Sequence, residues 1–166
     1  MMRRTLLLIA LIGAALAAQA QQAMDFAQKF LTTCEGDTMV KCITVSPKMM
    51  EQIAERHEGG NEKNEALRQA IAKLKSMRIV SAPASYYERA EELVQKHKRR
   101  FKAEREFQGD GMRGAFYTRQ SRKSVTNELI MLREDTERET LTIVCLTGDI
   151  DKEFLCFLYN NKSLKD

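Results

Sequence analysis

Four cysteines, two histidines and one dense cluster of cations are the residues of this 166-residue chain whose types and spacing reach beyond packing. Cys34, Cys42, Cys145 and Cys156 allow three disulfide pairings. No two are spaced C-x-x-C, which argues against a zinc site and against thioredoxin-like exchange. If a first helix ends near Cys34 and a strand starts near Thr38, Cys42 lies roughly 13 Å up that strand at about 3.3 Å per residue. A disulfide tolerates a Cα separation of about 7 Å, so Cys34–Cys42 is disfavoured. Cys145 sits about 7–10 Å before a turn on its strand, and Cys156 about 6–8 Å into the helix that returns. Cys145–Cys156 is therefore the pair expected if any bonds. The alternative is free thiols buried in the core, where cysteine packs as a small hydrophobe.

His57 and His97 each fall near the C-terminal end of a helical pattern, where the dipole favours a charged imidazole. Neither belongs to an H-E-x-x-H spacing. The run Lys96-His97-Lys98-Arg99-Arg100-Phe101-Lys102 is the densest charge cluster. It reads either as a solvated helix end or as an anion-binding patch for a phosphate or lipid head group. The patch would comprise Lys96, Lys98, Arg99, Arg100 and Lys102, with Arg119, Arg122 and Lys123 as further contributors. It lacks the interleaved aromatics that stack on bases, so nucleic acid is not the expected partner. No G-x-S-x-G occurs, and the glycine-rich stretches Gly59-Gly60 and Gly109 to Gly114 lack the Lys-Ser/Thr of a phosphate loop. No catalytic, cofactor-binding or metal-ligating residue is expected from these patterns.

The elements that must position these residues follow from periodicity. Met24 to Leu31 reads as a helix with Phe26, Phe30 and Leu31 on one face, and Thr38 to Val45 as a strand. Ser46-Pro47 opens a helix, with Ser as cap and Pro suited to the first helical position; Met49, Met50, Ile53 and Ala54 form its stripe. A further helix is expected over 62–76 and a short strand over Ile79 to Ala82. Ser85-Tyr86-Tyr87-Glu88 has the form of a capping box, opening a helix that turns Tyr87, Ala90 and Val94 inward. Phe101 to Phe107, Met112 to Arg119, Val125 to Arg133 and Thr140 to Thr147 read as strands, with a turn at Gly109-Asp110-Gly111. Leu141 to Leu146 is apolar on both faces and belongs centrally in the sheet. A last helix carries Phe154, Leu155, Phe157 and Leu158. Helices early and strands late predict an α+β fold: an antiparallel sheet of about five to six strands with helices packed mainly on one face.

The N-terminus reads as an export leader. Arg3 and Arg4 precede an unbroken apolar run from Leu6 to Ala18, and Ala18-Gln19-Ala20 is a small-x-small cleavage signal. The run is short for a membrane span. Cleavage between Ala20 and Gln21 would leave Gln21–Asp166 as a single α+β domain. The first cysteine, Cys34, lies far beyond the run, so acylation at the junction is not expected. A periplasmic or secreted protein, without a transmembrane segment after cleavage, follows. Loss of Arg3 and Arg4 lowers the formal net charge of +4 by two, which leaves no whole-protein argument for nucleic acid or an anionic membrane. A domain of this length buries roughly 70% of its unfolded surface, enough for a core without metals or disulfides.

These residues also carry a resemblance. After the leader come Phe26–Phe30, then Ser46-Pro47-Lys48-Met49-Met50, then Leu74-Lys75-Ser76-Met77-Arg78-Ile79-Val80. A Tyr-led helix at Tyr86, Glu128-Leu129-Ile130-Met131-Leu132 and Gly148-Asp149-Ile150-Asp151 follow. This order resembles the exported bacterial family known as domain of unknown function 4252. The resemblance implies no activity, cofactor or catalytic residues. Many of that family look like lipoproteins; this chain departs by lacking the acylated cysteine.

Two functional readings remain. One is a non-enzymatic module that binds an envelope protein or an envelope component. The other is an envelope hydrolase using acids or His97 at a site assembled from distant parts of the chain.

Overall fold

In the computed structural model, residues 24–56, 68–121 and 125–160 are described. The leader with its Ala20–Gln21 junction, His57, Gly59-Gly60, Arg122 and Lys123 lie outside these residues.

Asp25 starts helix α1 (Phe26–Thr33) by accepting the Gln28 amide at 2.9 Å, the usual service of a short acid at an N-cap. Strand β1 (Lys41–Val45) leads into α2 (Pro47–Arg56), and the Ser46 hydroxyl accepts the Met49 amide at 3.3 Å as the Ser-Pro pattern requires. Residues 68–72 are helical, but the chain turns extended at Leu74, two residues before the end of the helix expected over 62–76. Strand β2 (Leu74–Pro83) takes over because residues from Leu74 onward pair with a partner strand, with Ser76 opposite Thr147. Tertiary pairing here outweighs the local helical spacing.

The expected capping box does not form. Ser85 lies in a 3-10 turn (Ala84–Tyr86), and α3 (Tyr87–Lys96) starts without a side-chain cap. The Ala84 amide donates to the Glu139 carbonyl at 2.9 Å, which bends the chain off β2 before the helix begins.

Strands β3 (Lys102–Gly109), β4 (Met112–Gln120), β5 (Thr126–Asp135) and β6 (Thr140–Ile150) make the expected meander, and α4 (Lys152–Asn160) closes the described chain. The β3–β4 turn takes positive φ at Asp110 (49°) and Gly111 (72°), the conformation that Asp-Gly tolerates in a two-residue hairpin. The six strands form one antiparallel sheet in the order β1-β2-β6-β5-β4-β3. Strand β6 is internal, as its two apolar faces require.

The α+β class holds, with one refinement: the helices divide between the two faces. On one face Val80, Ile130, Leu132, Leu141, Ile143 and Cys145 pack against Phe26 and Phe30 of α1 and Ala90 and Val94 of α3. On the other, Leu129, Met131, Leu146 and Phe116 pack against Met50 of α2 and Phe154 and Leu155 of α4. The run Leu129-Ile130-Met131-Leu132 is apolar on both sides of β5, so either face left bare would put large hydrophobes in water. Phe26 and Phe30 are fully buried, and each contributes about 1.5–3 kcal/mol of burial free energy.

This arrangement separates Cys145 from Cys156, the pair expected if any bonded, and leaves the alternative of free thiols. Cys145 and Cys156 are both free thiols. Cys145 is buried against α1, whereas α4 packs on the opposite face and leaves Cys156 exposed. The two can match in height along their elements and still be separated by the sheet. Cys34 and Cys42 are free as well.

Candidate functional site

The basic run folds as a tight reversal after α3. His97 is the helix C-cap, and the Arg100 and Phe101 amides both donate back to its carbonyl, at 2.7 and 3.2 Å. The reversal drives one apolar residue inward: Phe101 is buried and meets Phe26 of α1 edge-on, with ring centroids 5.9 Å apart. The cations around it face solvent. Phe101 thus anchors a loop whose cations lie at the surface.

Four of the five expected patch residues, Lys98, Arg99, Arg100 and Lys102, line one cleft of about 570 Å³ together with Thr118, Arg119 and Gln120 of β4. Lys96 does not line it; it is exposed in the last turn of α3, where it offsets the helix dipole. No carboxylate lines the cleft. Lys102 pairs with Glu104 at 3.2 Å and Arg119 with Glu128 at 2.7 Å. Lys98, Arg99 and Arg100 have no side-chain ion pair among the described residues.

Glu128 is the residue that sequence reasoning missed. It is 1% exposed. One oxygen accepts the Phe26 amide at 2.6 Å and the Cys145 thiol at 3.4 Å, and the other accepts Arg119 Nε at 2.7 Å. The clue in the sequence was its period: Glu128 shares a strand face with Ile130 and Leu132, so it had to be buried and paired. Burial, followed by the Glu128 charge, pushes the Cys145 thiol up to about 12. This cysteine is an inert core group rather than a nucleophile. Irregular ladders surround the cleft: register shifts fall between Ala103 and Arg105, between Arg119 and Gln120, and between Thr126 and Glu128. Such irregularities re-aim side chains.

On α1, burial and then Arg100 hold the Lys29 ammonium below its ordinary range. Burial and then Lys29 and Arg100 do the same to His97. The charges acting on His97 are all cationic, and no carboxylate pairs with it among the described residues. A second cleft of about 340 Å³ holds Tyr87, Glu91, Glu106, Phe107 and Arg113. Arg113 pairs with Glu134 and stacks over the Tyr87 ring at 4.4 Å. Among the described residues no three His, Cys, Asp or Glu side chains converge as metal ligands, and no helix is long and apolar enough to cross a membrane.

With this geometry in hand, the chain matches the family model described as domain of unknown function (DUF4252) over residues 34–155. It belongs to that family. The DUF4252 segment contains all six strands and every residue lining the basic cleft; α1, with Phe26 and Lys29, precedes it. No curated protein and no solved structure matches the chain.

Proposed function

We propose that this DUF4252 chain is an exported, non-enzymatic binding module whose ligand is an anionic component of the cell envelope held at the basic cleft. The observation that supports this reading is the convergence of Lys98, Arg99, Arg100, Lys102 and Arg119 on one cleft that no carboxylate lines. Three of these cations lack an ion-pair partner among the described residues. Cations left unpaired repel one another, and an anion relieves that repulsion.

Co-sedimentation of the mature chain with vesicles of phosphatidic acid or phosphatidylglycerol, against phosphatidylcholine, tests the site. Binding to the anionic vesicles, weakened by salt and abolished in R99E/R100E, is expected. Unchanged binding by that variant, or none by the parent, overturns the reading. Export is tested by N-terminal sequencing of the product from its native cell. A start at Gln21 in the envelope fraction is expected, and a start at Met1 in the cytosol overturns it.

A second reading, an envelope hydrolase, draws on the cleft that Tyr87, Glu91 and Glu106 line. Two carboxylates in one cleft can divide acid and base duties. Turnover of cell-wall polymer by the parent chain and its loss in E91Q or E106Q would favour it over the binding module.

A further inference from the structure

Resting on the reading of the basic cleft as an anion site, we propose that it selects a phosphomonoester, and that Arg119, oriented by the buried Glu128, is the group that reads it. The Arg119 guanidinium carries five donors in a rigid planar fork. Arg119 commits Nε to Glu128 Oε2 at 2.7 Å, while its terminal nitrogens have no partner among the described residues. Its side chain is 24% exposed and lines the cleft, whereas Glu128 is 1% exposed and tied to the Phe26 amide and the Cys145 thiol. The anchored carboxylate fixes the plane of the fork. The free terminal nitrogens are then the ones available for bidentate contact with two oxygens of one phosphate.

Charge distinguishes a monoester from other anions. Glu128 neutralises Arg119, and Glu104 pairs with Lys102 and also accepts the Thr118 hydroxyl at 2.7 Å. Lys98, Arg99 and Arg100 remain uncompensated on the same cleft. A phosphomonoester brings a charge of about −1.5 to −2 and three acceptor oxygens at neutral pH. A diester or a carboxylate brings one charge and fewer free oxygens. At about 570 Å³ the cleft exceeds a bare phosphate and accommodates the organic part of an ester beside Phe101 and Gln120. Arg119 is a binding residue and Glu128 a positioning residue in this arrangement.

The test compares phosphatidic acid with phosphatidylglycerol vesicles at matched surface charge, using the mature chain. A preference of about tenfold for the monoester is expected, the size of one added charge-assisted contact. R119K keeps the charge and loses the fork, so it should weaken binding to phosphatidic acid more than binding to phosphatidylglycerol and lower the preference severalfold. E128Q should act in the same direction, and thermal denaturation identifies the variants that remain folded for the comparison. Glycerol 3-phosphate separates the sources: displacement of the chain from phosphatidic acid indicates a soluble ester, and resistance indicates a membrane-borne one. Equal binding to both lipids by the parent, or a preference undiminished in folded R119K, overturns the proposal while leaving the anion site intact. Binding to neither lipid removes the anion site itself.

Discussion

Replacing Glu128 by Ala is expected to cost more stability than any other single carboxylate removal in the described sheet. The side chain is 1% exposed and satisfies the Phe26 amide, the Cys145 thiol and Arg119 Nε. Removing one partner of a buried ion pair costs about 3–5 kcal/mol because the other charge is stranded. Arg119 keeps 24% side-chain exposure and can recover part of its hydration, which places its share below that range. The Phe26 amide belongs to a fully buried residue, and an unsatisfied buried donor adds about 1–3 kcal/mol. The sum expected for E128A is about 3–4 kcal/mol, or a fall in Tm of about 10 °C for a domain of this size. Urea denaturation of the parent and the variant, followed by circular dichroism, measures it. The double variant E128L/R119M removes both charges and should recover the ion-pair share, leaving the amide's cost. A loss below about 1 kcal/mol in E128A would refute the claim that this carboxylate holds α1 to the sheet.

Gly114→Ala should destabilise by about 2–3 kcal/mol, because a Cβ there overlaps the Leu132 carbonyl oxygen and the Phe107 ring; a urea midpoint equal to that of the parent contradicts it. Asp151 accepts the Phe154 amide at 2.8 Å as the cap of α4, and that bond, then Lys73, holds its carboxyl below the ordinary aspartate range. D151A should therefore lose about 1 kcal/mol at neutral pH. A depressed acid stabilises above its unfolded pKa, so the gap between parent and variant should close as pH falls through the folded value; a gap that persists in acid would contradict the capping role. A disulfide reagent should titrate Cys42 and Cys156 rapidly and Cys34 and Cys145 only on unfolding. Rapid reaction of all four thiols would contradict the burial of Cys34 and Cys145.

Local patterns carried much of this fold to the surface of the sequence. Ser46-Pro47 marked a helix start because a cap and a missing amide act within one turn. Asp110-Gly111 marked the hairpin because positive φ is a property of the residues themselves. The short polar turns that bound β4, β5 and β6 and the two-sided apolar run in β6 set the strands and the central place of β6. The same physics misled where partners were distant. Residues 74–76 fit a helical stripe, yet β6 claims them as strand through hydrogen bonds formed across the sheet. Ser85 and Glu88 had the form of a cap, yet the carbonyl of Glu139 takes the preceding amide and bends the chain first.

The candidate site divides along the same line. The sequence by itself determined that cations cluster at 96–102, and their charge and density need no fold to be seen. Only the tertiary structure decided that Lys96 lies off the cleft, that Arg119, a contributor the sequence had suggested, lines it, and that Glu128 holds Arg119. It also decided the thiols, since the face of the sheet a cysteine occupies depends on which helices cover that face. Periodicity along a chain reports which side of an element is apolar. It carries no record of which other element arrives there, and a binding site is made of such arrivals.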